Sequence, residues 1–153
     1  MFSLLVALAV GFVALGQYGV SKKPTPFWIG LAFLCFGLFS AFDSLSAPGL
    51  VRGGRPLLAQ LPGTSAWFQQ LSYAALAVLL VAAIALPWPS GERPDHRWAV
   101  RGAIAIPAIC ALLGVLVLAA EPALPPLIAN EAWTPLDVAW SSLLLLVIAG
   151  GGI

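Results

Sequence analysis

The chain has 153 residues, of which 61% are hydrophobic and 8% are charged, and its formal net charge is +1. A soluble domain carries about 25% charged and about 45–50% apolar residues, so this composition excludes an ordinary soluble protein and predicts an integral membrane protein. Only seven residues are Lys or Arg. Without a basic cluster we expect no nucleic-acid partner.

Five apolar segments follow one another along the chain. Each is close to the roughly 20 residues that a helix needs to cross a hydrocarbon core about 30 Å thick. Connections rich in Pro and Gly separate them, and such residues end helices and form turns. The sequence therefore predicts an all-α, polytopic integral membrane helix bundle of about five transmembrane helices, forming one transmembrane domain over residues 1–153. The predicted helices are 2–20, 27–47, 67–87, 99–120 and 136–153.

The distribution of basic residues predicts an orientation. With five alternating helices, connections 21–26 and 88–98 share one side of the membrane, and 48–66 and 121–135 share the other. Five of the seven basic side chains lie on or next to the first side, which the positive-inside rule makes cytoplasmic. We therefore expect a protein of the plasma (bacterial inner) membrane with its N-terminus outside and its C-terminus cytoplasmic. Because no Lys or Arg precedes the first segment, we expect a retained helix rather than a cleaved signal peptide.

Polar side chains recur at three- and four-residue spacing in three of the predicted helices. Residues with this spacing share one helix face, and polar faces turn inward because hydrocarbon cannot satisfy them. We expect helices two, three and five to surround a polar centre in the outer third of the membrane, with helices one and four facing lipid or a partner. The candidate polar site consists of Ser40, Asp43, Ser44, Gln69, Ser72, Tyr73, Asp137 and Ser141.

Two interpretations of this polar site remain open. It can be structural, because interhelical hydrogen bonds worth about 0.6 kcal/mol on average hold membrane bundles together. It can also be a cavity, open to the outside, for a polar ligand, an ion or a lipid headgroup. The two carboxylates favour the cavity, since hydroxyls and amides suffice for structural hydrogen bonds.

Arg52 and Arg55 flank a glycine pair in the connection that follows Asp43. They are the candidate anion contact, because a glycine pair between two arginines can wrap an anionic group. The alternative is a flexible loop whose arginines balance nearby acidic residues. A carboxylate at the edge of the hydrocarbon needs a partner or water, so we predict that one of the two arginines meets Asp43, directly or through a ligand.

Metal and cofactor chemistry has little support in the sequence. His96 is the only histidine, which excludes bis-histidine haem ligation by this chain alone and argues against a histidine-based metal site. We expect it in a solvated loop. Cys35 and Cys110 lie in separate apolar segments without a CxxC spacing, so we expect two buried thiols, with a disulfide or redox pair as the alternative. We expect no cofactor and no metal.

The first functional hypothesis is a non-catalytic integral membrane module. HExxH, GxSxG, Walker and EF-hand patterns are absent from the sequence, which favours an accessory subunit of a membrane assembly or the sensory membrane part of a signalling chain. Within the lipid bilayer we expect a membrane-protein partner or a homo-oligomer. Small residues four apart would permit close helix contacts; they are Ala7 with Gly11 and Gly37 with Ala41.

Two alternatives belong to other functional classes. The first is a small oligomeric transporter of an ion or small polar molecule that uses Asp43 and Asp137. The second is a membrane enzyme that acts on a lipid-linked substrate at the outer face.

The predicted orientation is tested by cysteine labelling. In a background that lacks Cys35 and Cys110, we expect a cysteine at Ala129 to react with an impermeant reagent added outside intact cells. A cysteine at Ser90 should stay protected until the membrane is permeabilised. The reverse pattern would contradict the orientation.

Overall fold

A computed structural model describes residues 2–47, 57–58, 63–85, 96–125, 128–129 and 132–150. The fold is a bundle of α-helices, as predicted. A 3-10 turn at Glu121–Ala123 and a pair of two-residue antiparallel strands, β1 (Ile128–Ala129) and β2 (Ala132–Trp133), follow the fourth helix. The helices are α1 (Phe2–Ser21), α2 (Pro24–Ser46), α3 (Thr64–Ala85), α4 (His96–Ala119) and α5 (Pro135–Gly150).

Within the described residues, four helices, α1 to α4, are long and apolar enough to cross a membrane. The chain is therefore a helical membrane bundle with five helices. The fifth, α5, has 16 residues, which at 1.5 Å per residue makes it about 24 Å long, shorter than a hydrocarbon core of about 30 Å.

The helices α2, α3 and α4 each begin about three residues before the predicted position. The predicted boundaries follow the apolar runs, whereas a helix also takes in a polar first turn. The expectation that His96 lies in a loop is wrong for its backbone, because α4 begins at this residue. Pro107 lies inside α4, as expected for a membrane helix.

A two-residue connection joins α1 to α2 and makes them antiparallel neighbours. Lys22 has a φ of 54° and donates its backbone N–H to the Tyr18 carbonyl at 2.9 Å, a left-handed residue of the kind that ends helices. Pro24 then opens α2 at its first position, where the missing N–H costs nothing.

Small residues bring α1 and α2 into close contact. The buried face of α1 consists of Ala7, Gly11, Ala14 and Tyr18. A Cβ atom added at Gly11 would lie 3.2 Å from the Gly30 carbonyl oxygen, and one added at Gly30 would lie 2.7 Å from Leu15 Cγ. The predicted close contact at Ala7/Gly11 is thus present. The outer face of α1 is exposed, in keeping with the expectation that helix one faces lipid or a partner, and its opposite face packs along α2.

The central helix of the bundle is α2. It packs against α1, α3 and α4, whereas the extensive contact of α5 is with α3. Helices two and three meet as predicted, and helix five packs on helix three, but the predicted contact of helix five with helix two is wrong because α1 packs beside α2 instead. Apolar faces that meet lipid and apolar faces that meet a helix have the same composition, so the absence of polar residues in α1 was misleading.

Aromatic side chains fill the spaces between α2 and its neighbours. Phe42 stacks on Phe68 of α3, with ring centroids 5.3 Å apart and an angle of 18° between the planes. Gly114 of α4 lies against the Phe42 ring, where an added Cβ would approach to 2.7 Å.

The two cysteines are buried, unoxidised neighbours in this core. Cys35 of α2 and Cys110 of α4 belong to one buried cluster, and both are free thiols. The expectation of two buried thiols is confirmed, and the fold places them side by side although they are far apart in the sequence.

The α1–α2 contact predicts an unequal response to adding a methyl group. Gly30→Ala should destabilise the protein by about 1–3 kcal/mol, because Leu15 must move in a packed interface. Gly16→Ala is the matched control, since nothing lies within 4 Å of its added Cβ, and alanine is the better helix former. Thermal unfolding in detergent measures both. Equal melting temperatures for the two variants would contradict the close contact.

Candidate functional site

A polar pocket lies at one end of the bundle, between the start of α1, the end of α2 and the start of α3. We call it the Asp43 pocket, and its volume is about 130 Å³. Six of the eight residues of the predicted polar site line it, three from α2 and three from α3. Its described lining residues are Ser3, Leu4, Phe36, Ser40, Asp43, Ser44, Gln69, Ser72 and Tyr73.

The carboxylate side of the pocket is formed by the last two turns of α2. Ser40 and Ser44 are one helical turn apart, and Asp43 lies between them on the same face. All three are half-buried. The Asp43 backbone carbonyl accepts a hydrogen bond from the N–H of Ala47, where α2 ends. Asp43 therefore lies at the C-terminal end of its helix.

The opposite side of the pocket comes from the first turns of α3. Ser72 is buried, and its hydroxyl donates to the backbone carbonyl of Gln69 at 2.7 Å. Tyr73 is 45% exposed, and its ring lies 6.0 Å from that of Phe36, centroid to centroid. This side offers hydroxyl, amide and aromatic groups.

Asp137 and Ser141, the two remaining residues of the predicted site, are not part of the pocket lining. Asp137 is 6% exposed, and its Oδ1 accepts a hydrogen bond from Gln70 Nε2 at 2.5 Å. The same amide nitrogen lies 3.4 Å from Ser141 Oγ, which accepts a second, longer bond. The structure therefore divides the predicted site between two places, the Asp43 pocket and the contact between α3 and α5.

Polar residues along one side of α3 form hydrogen bonds with the part of the chain that runs from the 3-10 turn to the start of α5. The Thr64 hydroxyl donates to Glu121 Oε1 at 2.5 Å, and the Trp67 indole N–H donates to the Pro125 carbonyl at 3.1 Å. The third hydrogen bond along this side of α3 is the one that Gln70 donates to Asp137. Thr64, Trp67 and Gln70 recur every three residues, so they lie along one side of the helix.

The sequence interpretation missed Thr64, Gln70 and Glu121. Adjacent residues on a helix are separated by about 100°, so Gln69 turns to the pocket while Gln70 turns to α5. The three-residue spacing from Thr64 to Gln70 was the available signal for this second polar face.

The predicted contact of Asp43 with Arg52 or Arg55 lies outside the described residues, which end at Ala47 and resume at Leu57. It therefore stays a prediction. Within the described part of the chain, no group of three or more His, Cys, Asp or Glu side chains comes together in a way that could hold a metal ion.

Comparisons with family models, with curated proteins and with solved structures give no match to this chain. The chemistry of the two polar sites thus depends on their own residues. The α3–α5 contact has its donors and acceptors joined to each other, whereas the Asp43 pocket presents a carboxylate, hydroxyls and an amide around open space.

The two adjacent glutamines should differ in their effect on stability. Gln70→Ala should lower the free energy of unfolding by about 1–3 kcal/mol, because it removes the donor to the buried Asp137 carboxylate. Gln69→Ala, at an exposed position, should have little effect. Thermal unfolding in detergent compares them, and a double-mutant cycle of Gln70→Ala with Asp137→Ala isolates the pair. A coupling energy of zero would contradict the bond.

Proposed function

We propose that this chain is a non-catalytic integral membrane module that binds a small polar ligand in the Asp43 pocket. The module is either the sensory membrane part of a signalling chain or an accessory subunit of a membrane assembly. The observation that carries the proposal is the convergence of six polar side chains from α2 and α3 on one pocket of about 130 Å³.

The difference between the two carboxylates supports a ligand site at Asp43. Asp137 is buried and hydrogen-bonded to Gln70, which accounts for it as a structural contact between helices. Asp43 instead lines open space together with serine hydroxyls. Placing a carboxylate within the membrane costs free energy. A bound ligand would offset that cost, whereas an empty pocket would not.

The transporter and the lipid-linked enzyme have less support from the geometry. The transporter hypothesis uses Asp43 and Asp137 together, and the pocket lining contains only Asp43. The enzyme hypothesis has less support because the described lining of the pocket contains one carboxylate, Asp43, and no histidine, cysteine or second carboxylate to act with it.

The proposal includes a partner and a location. The outer faces of α1 and α4 expose apolar side chains along their length, among them Phe12, Val13, Ile104 and Leu116. These faces suit lipid, a partner membrane protein or a second copy of the chain. We further propose the plasma (bacterial inner) membrane with the N-terminus outside, on the strength of the basic residues. In that orientation the Asp43 pocket opens toward the outside.

The test compares the wild-type protein with Asp43→Asn and Asp137→Asn, each purified from native membrane in mild detergent. Small molecules released from the protein are identified by mass spectrometry, and thermal unfolding is recorded. We expect Asp43→Asn to stay folded and to lose a molecule that the wild type carries, and therefore to melt at the temperature of the wild type from which that molecule has been removed. Asp137→Asn, which keeps an acceptor oxygen for Gln70, is the matched control and should retain the molecule.

Two outcomes would contradict the proposal. If Asp43→Asn melts at a lower temperature and keeps every bound molecule, Asp43 has a structural role. If that variant keeps its stability, its partners and its bound molecules, Asp43 is an interfacial charge and the site assignment is discarded.

A further inference from the structure

We infer that the Asp43 pocket binds a primary organic ammonium group, carried by a free amine or by a lipid headgroup. The inference rests on the proposed function and adds to it the chemical class of the ligand. Three features of the pocket carry it: its charge, its aromatic rings and the arrangement of its hydroxyl oxygens.

The charge of the pocket favours a cation. Asp43 is the one residue with a formal charge among the nine described lining residues, and the positive charge of the chain's own N-terminus also acts on it, so a bound ammonium group competes with that charge. It lies in the last turn of α2, and within the described residues this turn contains no basic side chain. The C-terminal end of a helix carries a partial negative charge. The carboxylate and the helix end therefore reinforce each other, and both attract a positive group.

The two aromatic rings distinguish an organic cation from a metal ion. Cation–π attraction acts when an ammonium group lies within about 6 Å of a ring centroid. The rings of Phe36 and Tyr73 are in contact with each other, with centroids 6.0 Å apart, and both residues line the pocket, so an ammonium group in the pocket beside them can lie within that distance of a ring. The rings also cover the carbon atoms attached to the nitrogen, which an inorganic ion lacks.

The serine hydroxyls favour a primary ammonium over a quaternary one. A primary ammonium has three N–H donors and no acceptor. Asp43 and the hydroxyl oxygens of Ser40 and Ser44 form a set of acceptors on one face of α2. The Ser72 hydroxyl already donates to the Gln69 carbonyl, so its oxygen is oriented to accept. A quaternary ammonium has no N–H group and would leave these acceptors without a hydrogen bond.

The size and place of the pocket fit a short aminoalkyl group. A volume of about 130 Å³ is close to that of a cavity that holds one benzene molecule, about 150 Å³, enough for an ammonium on two or three carbons. Asp43, which lines the pocket, lies three residues before the end of α2, a helix long enough to span the membrane. That depth is near the headgroup level, where both a dissolved amine and an aminoethyl headgroup have access.

The test uses the full chain in a maltoside detergent, which carries no ammonium, with 2-aminoethanol as the ligand. We expect 2-aminoethanol to raise the melting temperature in a saturable way, while its neutral analogue ethylene glycol and sodium chloride at matched ionic strength have no effect. Asp43→Asn should weaken the response at least tenfold. Phe36→Leu should weaken it about two- to fivefold, as expected for one exposed cation–π contact. Asp137→Asn should leave the response unchanged.

Lipid nanodiscs separate the two sources of the ammonium group. The protein is compared in nanodiscs of phosphatidylethanolamine mixed with phosphatidylglycerol and of phosphatidylglycerol alone. If the ligand is the headgroup, the mixed nanodiscs raise the melting temperature of the wild type but not that of Asp43→Asn, and added 2-aminoethanol has no further effect. If the ligand is a free amine, 2-aminoethanol stabilises the wild type equally in both nanodiscs.

Three results would overturn the inference, and they differ from a failure of the proposed function. A sodium chloride response that depends on Asp43, without one to 2-aminoethanol, would assign the pocket to an inorganic cation. An unchanged 2-aminoethanol response in Asp43→Asn would place the amine elsewhere. A neutral or anionic molecule that co-purifies in an Asp43-dependent way would keep the proposed function and remove only the ammonium. The proposed function itself fails when nothing that co-purifies with the protein depends on Asp43.

Discussion

The close approach of α1 to α2 shows the physical constraint under which the helices of this bundle associate. Glycines on both helices bring the backbones together, since an added Cβ at Gly11 or Gly30 would meet atoms at 2.7–3.2 Å. In lipid, helices gain little by burying apolar surface, because lipid tails are as apolar as the side chains. Packing at small residues therefore has to supply the association. The Asp43 pocket follows from this contact, because Ser3 and Leu4 of α1 form one of its sides.

Hydrogen bonding supplies the second constraint, and α3 shows how it acts. One side of this helix, from Thr64 to Gln70, binds the 3-10 turn and α5 through side-chain hydrogen bonds. Another side, at Gln69, Ser72 and Tyr73, lines the pocket with α2. Hydrocarbon offers polar groups no partner, so each polar side must meet another polar surface. One side is satisfied by protein groups. The other meets a pocket that has room for a ligand.

This division gives the two carboxylates different physical roles. Removing a partner from the buried Asp137 leaves an uncompensated polar group and costs stability. The Asp43 carboxylate is half-buried and lines open space. Of the eight residues that the sequence grouped together, six line the pocket, and the other two, Asp137 and Ser141, lie at the contact between α3 and α5.

The sequence by itself determined the helices and the polar faces. Apolar length and Pro- and Gly-rich connections predicted all five helices to within a few residues of their observed bounds, because the bilayer sets how long an apolar helix must be. Three- and four-residue spacing also predicted that Ser40 and Asp43 share one face. The tertiary structure decided which helices meet: α1 rather than α5 packs beside α2, and Gln70 rather than Gln69 binds Asp137. It also brought Cys35 and Cys110 together. The sequence could not decide which apolar helix faces meet, because a face that packs on another helix and a face that contacts lipid are equally apolar.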